Sequence, residues 1–153
     1  NDYVWISDVD EIPNKNKVWE FGSFDQHYSY YYFNALKNFK LQCTIGLIGE
    51  QLINYPDPQF FRDNRFYYGF VDQGGWHFSF ALTSEKIIEK IQSYAHKEYD
   101  LPVFTDKKMM THRIKKLDDI FDRQNEDLYV KPFGTWLPET VYNNYEKYSK
   151  WIL

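Results

Sequence analysis

The sequence predicts one mixed α/β domain, with strands dominating the first half and helices the second. Three observations carry this reading. The 153 residues are the length of a single domain able to bury a sizeable core. Short runs of β-branched and aromatic residues recur up to about residue 82. Beyond it, apolar residues fall at helical spacing. No internal repeat, low-complexity stretch or linker divides the chain.

Tyr3, Val4, Trp5 and Ile6 form an apolar run ended by Ser7 and Asp8, which reads as a buried strand. Residues 8–13 read as a polar turn. Pro13 is expected to open a short helix through Trp19, because proline suits the first helical position. Residues 27–33 and 41–48 read as strands, 49–55 as a short helix and 57–65 as a polar loop. Residues 66–71 and 76–82 read as two strands separated by the turn signal Gln73-Gly74-Gly75. Thr83 is the expected N-cap of a helix carrying Ile87, Ile88, Ile91 and Tyr94, ending near His96. Thr105 is expected to cap a second helix, through Met109, Met110, Ile114, Leu117 and Phe121. Pro138 opens a third, with Val141, Tyr145, Tyr148 and Ile152 on one face.

Composition excludes several function classes. With 18 basic against 22 acidic residues the net charge is −4, which argues against a general nucleic-acid binder. No run approaches the roughly 18 apolar residues of a membrane span. The single cysteine, Cys43, excludes an internal disulfide and a cysteine-rich zinc site, and in its apolar strand it reads as core. Aromatic residues make up 21% of the chain, enough to furnish both a core and platforms for sugars or bases. The chain opens at Asn1 directly on a strand, and is expected to be part of a longer protein.

The segment Ser7-Asp8-Val9-Asp10-Glu11-Ile12-Pro13 carries the strongest chemical signal. Two carboxylates spaced by one residue at a strand end reach one hard divalent cation, Mg²⁺ or Mn²⁺, leaving positions open for phosphate oxygens. A D-x-D arises by chance about once in a chain of this composition, so the preceding buried strand and the third acid, Glu11, carry the weight. Three crowded carboxylates repel unless a cation or solvent relieves them. The ordinary alternative is a solvated turn at a strand end.

The run from Val4 to Pro13 resembles the D-x-D segment of glycosyltransferase family 17, the β-1,4-N-acetylglucosaminyltransferase-like enzymes. Gly74-Gly75-Trp76-His77-Phe78-Ser79-Phe80 resembles that family's G-W-H-x-S segment. The run from Lys90 to Tyr99 is similar to its K-x-x-S-[FY]-x-H-x-E pattern. The three occur in the family's order, and the residues from Tyr142 to Tyr148 resemble its terminal helix; the likeness fades over residues 106–136. Ala81-Leu82 stands where the family carries Gly-Gly after G-W-H-x-S, a departure on the acceptor side. The resemblance implies a GT-A-like mixed sheet flanked by helices. Residues 1–153 would be its D-x-D and acceptor-side part, lacking the nucleotide-binding βαβ half that precedes D-x-D in the family.

The resemblance further implies a metal-dependent inverting transferase using Mn²⁺ or Mg²⁺, a UDP-sugar donor, GlcNAc in first place, and a glycan acceptor. Asp8 and Asp10 would hold the cation with His96 beside them. Arg62 would contact the diphosphate through its bidentate geometry. Trp76 and His77 would contact substrate, and Glu98 would serve as general base, with Asp63 and Asp72 as rivals. Each has an ordinary alternative: a surface ion pair for Arg62, a satisfied core imidazole for His77, a helix-end cap for His96. Trp76 and His77 are strand neighbours and should point to opposite faces. The compartment stays open: the Golgi lumen for a eukaryotic member, the cytoplasm for a bacterial or viral one. Other classes also remain. One is a non-catalytic glycan-binding module built on the same aromatics. The other is a haloacid-dehalogenase-like phosphatase, with Asp8 and Asp10 as its first pair and Asp118-Asp119 as its distal pair. Finally, a strand-like start without neighbours implies self-association through an exposed edge.

Overall fold

A computed structural model describes residues 2–55, 57–93, 97–124 and 127–153. The architecture is mixed α/β: an open mixed sheet flanked by helices. The strands are β1 (Tyr3–Ile6), β2 (Glu11–Pro13), β3 (Gly22–Tyr30), β4 (Ala35–Ile48), β5 (Phe70–Ser79) and β6 (Leu128–Val130). The helices are α1 (Gly49–Asn54), α2 (Pro58–Asp63), α3 (Ser84–Ser93), α4 (Pro102–Thr105), α5 (Lys107–Lys116), α6 (Glu139–Tyr142) and α7 (Tyr145–Tyr148). The sheet order is β1-β4-β3-β5-β2, with β6 also on β4. Among the described residues only β3 and β5 run parallel; the other pairs are antiparallel. Among the same residues no helix is long and apolar enough to cross a membrane.

The strand β1, the helix α1 and the start of α3 lie where the sequence places them. Thr83 receives the first amide of α3 on its carbonyl, from Ile87. Elsewhere tertiary pairing overrides the local signals. The expected turn at 8–13 contains β2, because Glu11, Ile12 and Pro13 add to the edge of β5 opposite His77, Trp76 and Gly75. Proline is tolerated there because an edge strand needs no donor on its open side. The helix expected from Pro13 is a single 3₁₀ turn, Lys15–Lys17, capped by the Asn14 side chain. The strand expected at 27–33 ends at Tyr30, because Tyr31 turns left-handed at φ 64 and opens a tight hairpin into β4.

Two expected strands, 66–71 and 76–82, are replaced by one strand, β5, preceded by a 3₁₀ turn at Arg65–Tyr67. Gln73, at φ 53, and Gly75, at φ +141, bulge the strand without breaking it. A Cβ on Gly75 would lie 2.2 Å from the carbonyl oxygen of Ile12. Gly75→Ala is therefore expected to cost about 1–3 kcal/mol, read as a lowered urea midpoint. The loop expected at 57–65 holds α2. Its Asp57-Pro58 start is an N-cap followed by a first-position proline, and Asp57 accepts from the Gln59 amide.

The second helix is capped by Asp106 rather than Thr105, and ends at Leu117 in a left-handed conformation, so Phe121 lies beyond it. Leu117 and Phe121 nevertheless pack on the main core of Tyr30, Tyr31, Phe80, Ile87, Ile91, Met110 and Ile120. The third expected helix is split into α6 and α7 at Asn143-Asn144. The expected helix end at 94–96 lies outside the described residues. A smaller core of Ile45, Leu47 and Phe61 seats α2.

The two strands β1 and β2 stand at opposite ends of the sheet order, and residues 7–10 join them. The connection is a tight turn closed by the Glu11 amide on the Asp8 carbonyl, and Ser7 Oγ and Glu11 Oε2 both meet Thr44 Oγ1 on β4.

Candidate functional site

The acidic segment builds the site. Val9 is fully exposed at the tip of the turn, while Asp8 and Asp10 are half-buried and Glu11 is buried. The Glu11 amide donates to the Asp8 carbonyl at 3.1 Å, closing the turn. Glu11 Oε2 accepts from the Asp8 amide at 3.0 Å, Thr44 Oγ1 at 3.1 Å and Ser7 Oγ at 3.2 Å. Its other oxygen faces Arg65 at 3.8 Å and His77 Nδ1 at 4.0 Å. Asp8 is gripped by Arg62 from α2, at 2.5 Å and 2.6 Å to its two oxygens. Asp10 pairs with Lys90 from α3 at 3.0 Å and faces His77 Nε2 at 3.7 Å. The repulsion expected among three acids is thus relieved by the chain's own cations.

Asp8, Asp10, Arg62, His77 and Lys90 line one cleft of about 620 Å³ together with Glu98, Arg123 and the aromatic rings of Tyr28, Tyr30, Phe80, Tyr99 and Phe121. Glu98 sits on the 3₁₀ turn Lys97–Tyr99. So Asp8, Asp10, Arg62, His77 and Glu98 share a cleft. His96 lies outside the described residues. Trp76 does not line this cleft. It points to the opposite face of β5, into a second cleft of about 750 Å³, and donates from Nε1 to the Trp136 carbonyl at 2.8 Å. The pleat of a strand imposes this separation. Of the rival bases, Asp72 lines the second cleft and binds Lys40, while Asp63 accepts from Gln59 on α2. Asp119 is buried against Lys37 and Arg123, and neither it nor Asp118 lines the acidic cleft.

Sequence reasoning assigned no role to Lys90, Arg123 or Tyr99. Lys90 opens the third motif, so its side of α3 was the available signal. Arg123 carried no local signal: it enters the cleft through Tyr30 Oη, at 2.7 Å.

The His77 imidazole is lowered from its ordinary value chiefly by burial, with Asp10 and Glu11 pulling the other way. His27, in the second cleft, is lowered by burial and by Lys131 and Lys40. A folded value below the unfolded one means that protonation favours the unfolded chain. Stability is therefore complete above about pH 6.5 and declines as the pH falls through the interval down to the lowered values. His77→Gln is expected to flatten part of that decline in urea titrations at stepped pH; an unchanged slope would assign the effect to His27. The Cys43 thiol, beside His77, is pushed up by burial and by the Glu11 charge.

The donor set divides by hardness. Asp8 and Asp10 offer carboxylate oxygens, suited to Mg²⁺ or Mn²⁺, provided Arg62 and Lys90 give way. Glu11, Cys43 and His77 place an oxygen, a sulfur and a nitrogen within 4.8 Å of one another. Compared with known proteins, the chain matches no family model, no curated protein and no solved structure. The likeness to glycosyltransferase family 17 rests on its sequence segments.

Proposed function

We propose that the acidic cleft is the donor site of a metal-dependent inverting glycosyltransferase, which moves a sugar, GlcNAc in first place, from a UDP-sugar to a glycan acceptor. One observation carries this reading. Residues from three motifs and from α2, far apart in the chain, converge on one cleft that holds two carboxylates, basic groups, a third carboxylate and aromatic walls. Asp8 and Asp10 would hold Mn²⁺ or Mg²⁺, with His96 as a third ligand; the cation supplies charge neutralisation for the leaving diphosphate. Arg62 and Lys90, released from the carboxylates, would meet phosphate oxygens. Glu98 would accept the proton of the attacking hydroxyl. The aromatic wall of Tyr28 and of Tyr99 stacked on Phe121 would meet the sugar, a task expected of Trp76 on sequence grounds. The β1 edge carries an exposed aromatic group of Tyr3, Trp19 and Phe21, where a second copy would add.

A second reading, a glycan-binding module, is favoured by the other cleft, where Trp76 and Trp136 lie among amide and hydroxyl side chains. Calorimetry with UDP-GlcNAc and Mn²⁺ separates the two. The transferase reading expects manganese-dependent binding that Asp10→Asn weakens by at least about 10–100-fold. Because the Asp10–Lys90 pair is partly solvated, the same variant should change stability by no more than about 1 kcal/mol. Oligosaccharide binding without UDP or manganese, unchanged in Asp10→Asn, would overturn the transferase reading in favour of the module.

A further inference from the structure

Beneath the acidic cleft, strands β2, β4 and β5 bring Glu11, Cys43 and His77 together. Cys43 Sγ lies 3.3 Å from His77 Nδ1, and that nitrogen lies 4.0 Å from Glu11 Oε1. Tetrahedral zinc binds sulfur at about 2.3 Å and nitrogen or oxygen at about 2.0–2.2 Å, which sets its ligand atoms about 3.3–3.7 Å apart. The sulfur–nitrogen separation is already 3.3 Å, and the carboxylate oxygen, at 4.0 Å from the nitrogen, has to close in by about half an ångström. We infer that Glu11, Cys43 and His77 form a binding site for a thiolate-seeking divalent cation, zinc before others.

Three further features support the site. Asp10 stands behind His77: Nε2 faces its carboxylate at 3.7 Å, while Nδ1 points to the sulfur. A carboxylate behind a metal-bound imidazole holds its proton on the outer nitrogen and its ring in orientation. Gln26, fully buried, leaves Oε1 without a hydrogen-bond partner among the described residues, while its Nε2 donates to Thr44, which is bonded in turn to Glu11. A buried acceptor oxygen on a side chain linked through Thr44 to Glu11 suits a cation or the water bound to one. Charge also balances. Cys43 thiolate and Glu11 carboxylate cancel the zinc. Asp10 is already offset by Lys90, and Arg65, held in place by the carbonyls of Gln42 and Cys43, faces Glu11 Oε1 at 3.8 Å. On binding, the S–H bond of Cys43 breaks, its proton passes to buffer, and the sulfur pair forms the bond to zinc.

The inference is independent of the transferase reading. A thiolate ligand selects zinc over magnesium and manganese, whereas the outer carboxylates of the cleft offer only oxygen. The test is titration of the chelator-treated chain with Co²⁺ as a coloured stand-in for zinc. The expected result is a sulfur-to-cobalt charge-transfer band with tetrahedral visible absorption, both erased by zinc. The band should vanish in Cys43→Ser, and zinc should raise the Tm of wild type but not of Cys43→Ser or His77→Gln. Asp10→Asn, which leaves all three ligands, should weaken zinc by about 10–100-fold. A wild-type chain that develops no cobalt–thiolate band overturns the proposal, even where a variant fails to fold. Equal zinc affinity in Cys43→Ser overturns it as well. Manganese-dependent UDP binding is read separately, so either proposal can fail alone.

Discussion

Asp119→Ala is expected to lower stability by about 3–5 kcal/mol, the cost of breaking a buried ion pair from one side. Lys37 Nζ lies 2.7 Å from Asp119 Oδ2, and both side chains are closed to water. Arg123 adds a second cation to the same carboxylate at 2.8 Å, and the amides of Phe121 and Arg123 donate to its other oxygen. Burial pushes the Asp119 carboxyl up, but hydrogen bonds from Arg123, Lys37 and the backbone outweigh it and hold it at about 2. Its contribution is thus present above the ordinary aspartate value and lost as the pH falls towards 2. Alanine removes the carboxylate and leaves the Lys37 ammonium in a dry site. For a domain of this size the loss corresponds to a fall in Tm of about 6–20 °C. The double variant Lys37→Met/Asp119→Ala should cost less than the two single changes together, because it removes both charges. Additive costs in urea melts would show that the pair is not coupled.

Glu98→Gln is expected to lower kcat by about 10²–10⁴-fold in a transferase assay, with donor affinity little changed. An acceptor hydroxyl ionises far above neutral pH and needs a carboxylate within hydrogen-bond reach. In the proposed reaction Asp8 and Asp10 serve the cation, so the base falls to the third carboxylate that lines the cleft, Glu98. Glutamine keeps shape and hydrogen bonding but takes no proton. A raised KM with a surviving kcat would instead make Glu98 a sugar-hydroxyl contact. Normal kcat and KM would remove Glu98 from the chemistry altogether.

The sequence makes legible those features that local chemistry decides. The apolar run of β1, the cap before α3 and the acidic turn are of this kind. Asp57-Pro58 carries the signal of a helix start, yet the prolines and polar residues around it read as loop. The continuity of β5 was not, because Gly74-Gly75 serves equally in a turn and in a bulge; strands on both sides decide between them. Lys37 reads as a surface residue until Asp119, 82 positions later, is seen to meet it. The same distance problem hides the cations of the site: Arg62 reaches Asp8 across 54 positions and Lys90 reaches Asp10 across 80. A run of acids taken alone therefore predicts mutual repulsion where the folded chain supplies paired charges. Cys43 reads as core because its apolar neighbours say so, while the neighbours that matter to its sulfur, Glu11 and His77, come from other strands.

The turn between β1 and β2 also ties the site to strands from distant parts of the chain. Among the long strands, β3 and β4 alone can pair as a local hairpin. β5 must then return past α1 and α2 to lie parallel to β3, and β2 has no partner until it does. The paired geometry of the acidic turn therefore depends on β5, which comes much later in the chain, although the turn is among the first residues of the sequence. Local opening of β2 alone would dismantle the cleft while the hairpin and the helical core remained intact, so the site's integrity is set by the short ladder of Glu11, Ile12 and Pro13 on β5.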